Sequence, residues 1–195
     1  MMGNILKIME WQATIDDLCH VPENGKAELV DGKLVRFPPY GWRVGRACGE
    51  IIFALHAYEQ QMDNGFTFTG TAAFIVDLPR RRSFCPDAAY CLGELAGALN
   101  EFVTGAPTLA VEVRSPRDYG PAAERKMARK RAEYFAAGTL VVWDVDVLRE
   151  MVVRVYRAGD PEKATMYGKG EFAEAEPAVP GWRFEVERIL PKPRG

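Results

Sequence analysis

Residues 109–145 leave few folds open. Leu109-Ala110-Val111-Glu112-Val113 is a short apolar run interrupted by one acid, and Leu140-Val141-Val142-Trp143-Asp144-Val145 is almost wholly apolar. Between them, residues 119–137 carry a helical pattern that Gly138 ends. Ser115-Pro116 stops the first run, because proline has no N–H to give a strand ladder. A strand, a helix and a second strand within about 35 residues form a crossover, which sets the two strands side by side and parallel.

The first of these strands carries its own problem. An ionised carboxylate in a core costs several kcal/mol unless something pairs with it. A buried strand centred on Glu112 therefore demands a cation or a metal beside that side chain.

The rest of the chain supplies the partners for this unit. Residues 1–12 read as a tail. Thr14 followed by Ile15-Asp16-Asp17-Leu18 is an N-cap with an acidic first turn, giving a short helix to His20 that Pro22 and Gly25 end. In residues 27–36, two apolar runs flank Asp31-Gly32, the dipeptide that type I′ turns select because both central residues need positive φ. Pro38-Pro39 closes the second strand. Val44, Ala47, Cys48, Ile51, Ile52, Leu55 and Tyr58 fall at helical spacing, so a long amphipathic helix is expected from Trp42 to Met62, with Asn64-Gly65 ending it.

Residues 66–78 should hold one or two strands bent at Gly70. Pro79 and Arg80-Arg81-Arg82 read as a loop, residues 84–92 as the next strand, and residues 93–105 as loop or irregular helix. Met151–Tyr156 alternates and should pair antiparallel with its neighbour. An acidic segment through Glu176 and a strand near Trp182–Val186 complete an extension over residues 157–195. The expected architecture is α/β (α+β): one domain over residues 1–195 with its core in residues 27–156, a mixed β-sheet flanked by helices, and an N-terminal hairpin.

Composition closes off several functions. The net charge of −2 provides no global field toward nucleic acid or an anionic membrane, although a local basic face can hide within it. No stretch nears the ~18 apolar residues of a membrane span. Cys19, Cys48, Cys85 and Cys91 make no C-x-x-C pair, and only His20 and His56 could join them in a zinc site. Reduced, structural thiols in a cytoplasmic protein are the reading. A phosphate-cradling glycine loop, a G-x-S-x-G elbow and an H-E-x-x-H motif are all absent.

Asp87 and Glu112 are the pair to single out. Asp87 follows Pro86 at the start of one expected strand and Glu112 lies inside the next regular one, so neighbouring strands would let both carboxylates meet on one face and hold a hard cation such as Mg2+. The competing reading is an exposed Asp at a strand start and a Glu paired with an arginine. Positive charge can come from Arg114, which points to the same side as Glu112. It can also come from Lys126 and Lys130, one turn apart on the following helix and in line with Tyr134. Lys can accept a proton when desolvated and Arg cannot. The basic run from Arg125 to Arg131 is equally a solvated helix face or a footprint for phosphates. Glu28 is a third acid, either facing the site or sitting on its rim. The arginine triplet is a mobile loop or a backbone clamp. Asp144 and Asp146 end a strand and read as caps.

Pro86-Asp87, Val111-Glu112-Val113, Ser115-Pro116, and Lys130-x-x-x-Tyr134 followed by Gly138 and Trp143 together resemble the Uma-two-type restriction endonuclease family, a branch of the PD-(D/E)xK nuclease superfamily. Glu28-Leu29-Val30-Asp31-Gly32-Lys33-Leu34 resembles that family's opening hairpin, and the ordered set runs from Glu28 to Tyr156. The resemblance implies a restriction-endonuclease-like core and a metal-dependent endonuclease, with Mg2+ (Mn2+ as substitute) activating a water that attacks a DNA phosphodiester. It implies Asp87 and Glu112 as metal ligands, with the Val113 carbonyl as a third. Arg114 stands at the usual E-x-K lysine position, and Lys130 matches the lysine supplied by the next helix. Glu28, Arg114 and Lys126 are supporting residues. Gly41 or Trp42 stands where the family often opens its first long helix with a histidine. The resemblance also implies a homodimer. Two other readings stay open: a nuclease fold that binds nucleic acid or a protein partner without turnover, and a purely structural partner protein.

Overall fold

The computed structural model describes residues 12–21, 25–95 and 102–190. The expected tail up to residue 11, Pro22 at the end of the first helix, and residues 96–101 of the expected irregular segment lie outside the described residues. Helix α1 (Ile15–Cys19) precedes a hairpin of β1 (Ala27–Val30) and β2 (Lys33–Arg36). Val30 pairs with Lys33, and Asp31 and Gly32 have φ of 50° and 77°. The hairpin thus has the two-residue turn that Asp-Gly allows. Helix α2 spans Trp42–Met62 as the spacing requires, but its left-handed C-cap is Asp63, at φ 47°, rather than Asn64-Gly65. Gly65 instead opens β3 (Gly65–Thr69), where a Cβ would lie 2.2 Å from the Cys91 carbonyl oxygen.

Strands β4 (Phe74–Leu78), β5 (Arg81–Phe84), β6 (Ala88–Leu92), β7 (Val103–Thr104) and β8 (Leu109–Val113) follow. Two expectations fail here. Arg81 and Arg82 are strand, not loop, because β5 pairs antiparallel with β4 and meets β1 at Val30. Residues 84–92 are two strands in different sheets, separated at Cys85-Pro86-Asp87, where proline has no N–H for a ladder. The crossover forms as the apolar runs demand. Helix α3 (Pro121–Ala136) joins β8 to β9 (Val141–Asp146), and the two strands pair in parallel from Leu109 opposite Val141 to Val113 opposite Val145. β10 (Val152–Arg157) returns antiparallel to β9, and β11 (Asp160–Tyr167) pairs with it. A short hairpin of β12 (Phe172–Glu174) and β13 (Arg183–Glu185) leads to a closing 3-10 turn, Val186–Ile189.

The single mixed sheet expected from the sequence is two: β2-β1-β5-β4-β7 and β11-β10-β9-β8-β6-β3, plus the β12-β13 ribbon. Because side chains alternate along a strand, the six-stranded sheet presents two lined faces. Val111, Trp143 and Val145 pack with Val44, Ile51 and Leu55 of α2 and with Trp182 and Phe184. Ala110 and Val142 pack with Tyr134 of α3 and with Phe74 and Phe84 of the five-stranded sheet. The core also outruns residues 27–156, since Ala173, Ala175, Val179, Trp182, Phe184 and Val186 are buried and Trp182 stacks on Trp143. No helix among the described residues is long and apolar enough to cross a membrane.

Candidate active site

Asp87 sits where the break after β5 ends and β6 begins. Its own N–H donates to the Val111 carbonyl at 2.8 Å, and its Oδ2 accepts the Val113 N–H at 2.7 Å. The aspartate is thereby pinned beside the peptide that joins Glu112 to Val113. On its other oxygen, Oδ1, it accepts from the Lys26 ammonium and from the Tyr40 hydroxyl.

Glu112 projects from the middle of β8 toward α3. Its Oε1 accepts from Lys130 Nζ and from the Tyr134 hydroxyl, both at 2.7 Å. Lys130 and Tyr134 are one helical turn apart, the spacing that stacks two side chains on one face. Among the described residues, no hydrogen bond reaches Glu112 Oε2, and the side chain is 26% exposed. Lys130 also bonds Glu28 Oε1 at 2.8 Å, so one ammonium bridges two acids from different sheets. Glu28 is completed by Arg81 at 2.6 Å on Oε2 and by the Cys85 N–H at 3.0 Å on Oε1. Arg81 in turn bonds Glu133 of α3 at 2.7 Å and lies over the Phe84 ring, which stacks on Tyr134 at 3.9 Å.

The ion pairs in this group set Glu28, Asp87, Glu112 and Glu133 against Lys26, Arg81 and Lys130, which leaves one negative charge uncompensated. The acids do not share it evenly. Burial alone would raise Glu28, but Lys130 and Arg81 outweigh it and hold the carboxyl at about 2. Burial pushes the Glu112 carboxyl up, and Lys130 and Lys26 offset only part of that. Of the two, the Glu112 carboxylate is the less compensated. Asp87, Glu112 and Lys130 open into a cleft of about 430 Å3, walled on one side by residues 35–41 and on the other by residues 113–118 with Lys126 and Met127.

The structure brings together Asp87, Glu112, Val113, Lys130 and Glu28. It withdraws Arg114, whose guanidinium lines the cleft but spends its donors on Asp144, at 2.6 Å twice, and on Glu124, at 2.6 and 3.1 Å. Those four bonds commit Arg114 to Asp144 and Glu124, and none of them reaches Glu112 or Asp87. Lys126 stays exposed on the rim, away from the acids. Sequence reasoning missed Lys26, Tyr40 and Arg81. Lys26 was findable: it lies two residues before Glu28, hence on the same side of an extended chain. Tyr40 follows Pro38-Pro39 in an irregular segment, where no period indicates its direction.

A family model described as Uma2, "Putative restriction endonuclease", matches residues 12–187. A solved structure described as "a putative nuclease belonging to DUF820 from Anabaena variabilis ATCC 29413" is 17% identical, with a TM-score of 0.71, covering 91% of this chain and 97% of that one. This likeness shows the same fold. No curated protein matches the chain.

Proposed function

The chain belongs to the Uma2 family, and from that membership and the cleft just described we propose that it is a divalent-metal-dependent nuclease that hydrolyses DNA phosphodiesters. The observation that carries the reading is the convergence at Glu112. One strand carboxylate accepts from Lys130 and Tyr134 on one oxygen and leaves the other turned to a cleft whose floor also holds Asp87.

The donor set fits a hard cation. It offers carboxylate oxygens without thiol or imidazole, the character Mg2+ and Mn2+ select, and it carries a net negative charge. Among the described residues no group of three or more His, Cys, Asp or Glu gathers as a ready cage. That also suits Mg2+, which keeps several waters and is bound by one or two carboxylates. Asp87 and Glu112 would hold the ion, with the Val113 carbonyl as a third donor. When bound, it supplies Lewis acidity that lowers the pKa of a water and offsets charge on the phosphate.

The chain's own groups do the rest. An ammonium has three donors and no acceptor. Lys130 spends donors on Glu28 and Glu112 and lines the cleft, so a remaining donor can hold a phosphate oxygen or the attacking water. Bracketed by two carboxylates, it serves as a donor rather than as a base. Tyr134 fixes the orientation of Glu112 through Oε1. Arg36, Arg117 and Lys126 are exposed on the cleft walls and, among the described residues, form no ion pair, so they are free for flanking phosphates.

One observation favours a second reading, a nuclease fold that binds nucleic acid without turnover. Asp87 Oδ1 is already occupied by Lys26 and Tyr40. Incubation of plasmid DNA with Mg2+ or Mn2+ separates the two. The nuclease reading expects nicking or cutting that Glu112→Ala abolishes. Cleavage that survives Glu112→Ala, or DNA binding with no cleavage under either ion, sinks it.

A further inference from the structure

We propose that Lys26 is a built-in counter-cation of Asp87, which a divalent ion must displace in order to load the site. The inference rests on the metal reading above. Lys26 stands just before β1, and its side chain is 11% exposed. Its ammonium bonds Asp87 Oδ1 and donates to the Tyr40 hydroxyl at 2.9 Å, and it lies over the rings of Phe37 and Tyr40 at 5.4 and 5.6 Å. A cation in that half-apolar cradle needs an anion, and Asp87 is the acid it bonds.

The two acids of the site are therefore unequal hosts. Asp87 has Oδ2 on the Val113 N–H and Oδ1 on Lys26 and Tyr40, whereas Glu112 keeps Oε2 clear among the described residues. An ion that reaches Glu112 meets a second carboxylate closed by an ammonium. A divalent ion and an ammonium cannot share one carboxylate oxygen in a site of low dielectric, because like charges in contact repel strongly there. The ammonium must move, and the four-carbon stem lets it. The space open to it is the cleft that Lys26, Phe37 and Tyr40 themselves line. A phosphodiester bound to the site would occupy that same cleft, so loading the metal frees a cation for the substrate's charge. Lys26 thus holds the unloaded site together and makes metal affinity weaker than the carboxylates alone would give.

Titration calorimetry of the full chain with Mn2+ tests this without any cleavage assay. Lys26→Met should bind Mn2+ roughly tenfold or more tightly than the unsubstituted protein, since the competitor and its charge are both gone. Lys26→Arg, which keeps the charge, should bind no more tightly than the unsubstituted protein. Circular dichroism melts check that each variant is folded. If Lys26→Met does not fold, Lys26→Gln, a neutral residue that still donates to Asp87, carries the same comparison. Equal or weaker Mn2+ binding by the neutral variant overturns the role of Lys26, and the metal reading stands if Glu112→Ala still removes binding. Absence of Mn2+ uptake by both the unsubstituted protein and the neutral variant overturns both.

Discussion

Replacing Glu28 with Gln removes one negative charge from between two cations and leaves the shape of the site intact. Glu28 is 1% exposed, with Arg81 at 2.6 Å, Lys130 at 2.8 Å and the Cys85 N–H at 3.0 Å. Gln can still accept from Cys85 and Lys130 through its one oxygen, but its amide NH2 then faces the Arg81 donor, so a lost charge and a lost acceptor act together. Against burial, which would raise it, Lys130 and Arg81 hold the carboxyl at about 2 where 4.5 is ordinary. A depression of that size contributes about 3 kcal/mol to stability at pH 7. The group is an acid whose folded pKa is lowered. Its contribution is therefore complete above the unfolded value of 4.5 and is lost as pH falls through about 2. Urea unfolding of both proteins at pH 7 and pH 3 measures this. At pH 7 the variant should be about 3 kcal/mol less stable, with a midpoint temperature roughly 6–12 °C lower. At pH 3 the gap should be clearly smaller, because the unsubstituted protein has by then given up much of the charge term. A gap that stays constant between the two pH values would mean that the loss is packing, and a gap below about 1 kcal/mol at pH 7 would mean that the buried cations do not need Glu28.

Three further outcomes follow from the same contacts. Arg114→Met should cost about 3 kcal/mol or more in urea unfolding, because Asp144 is 2% exposed and loses its two-bond partner. The folded variant should bind Mn2+ like the unsubstituted protein, and a loss of binding would return Arg114 to the site. Gly65→Ala should destabilise by about 2 kcal/mol or more, since the new Cβ would lie 2.2 Å from the Cys91 carbonyl oxygen and 2.7 Å from the Tyr90 ring; an unchanged urea midpoint would refute that close approach. Replacing Arg36, Arg117 and Lys126 together with Ala should flatten the dependence of log K on log salt for a labelled DNA by about 2 to 3. An unchanged slope would place the DNA elsewhere.

What was legible in the sequence was whatever short-range chemistry decides. Asp31-Gly32 fixes its turn because both residues adopt positive φ. The apolar spacing fixes α2 at Trp42–Met62, and two apolar runs around a helix fix the parallel pair β8-β9. What was hidden depends on partners far along the chain. Arg81-Arg82-Ser83-Phe84 has the composition of a loop; it is strand because β4 and β1 pair with it, and Glu28 and Glu133, 53 and 52 residues away, neutralise the buried Arg81. The C-terminal core was hidden for another reason. Ala173, Ala175 and Ala178 carry too little apolar area to announce burial, and only Trp182 and Phe184 bring them against Trp143. Within the site, spacing offered Asp87 and Glu112 with either Lys126 or Lys130, and the family resemblance singled out Lys130. Tyr40 reaches Asp87 from a segment with no regular period, so no pattern could assign it.

The position of Arg114 explains why the lysine of this site comes from a helix. Glu112, Arg114 and Asp144 share one face of neighbouring strands, with Glu112 opposite Asp144 in the parallel register. A second buried acid beside Glu112 needs its own cation. Arg114 supplies it with a two-bond fork that a lysine could not match. Once that strand position is committed to Asp144, Glu112 must draw its cation from the layer above. Helix α3 provides it because the crossover lays Lys130 and Tyr134 over β8 at one-turn spacing. The same helix carries Glu133 to Arg81, which ties the five-stranded sheet to the site through Glu28. Asp144 thus takes up Arg114, and Glu112 takes its cation from α3. The neutralisation of Asp144 by Arg114 and the recruitment of Lys130 to Glu112 are two halves of one electrostatic solution.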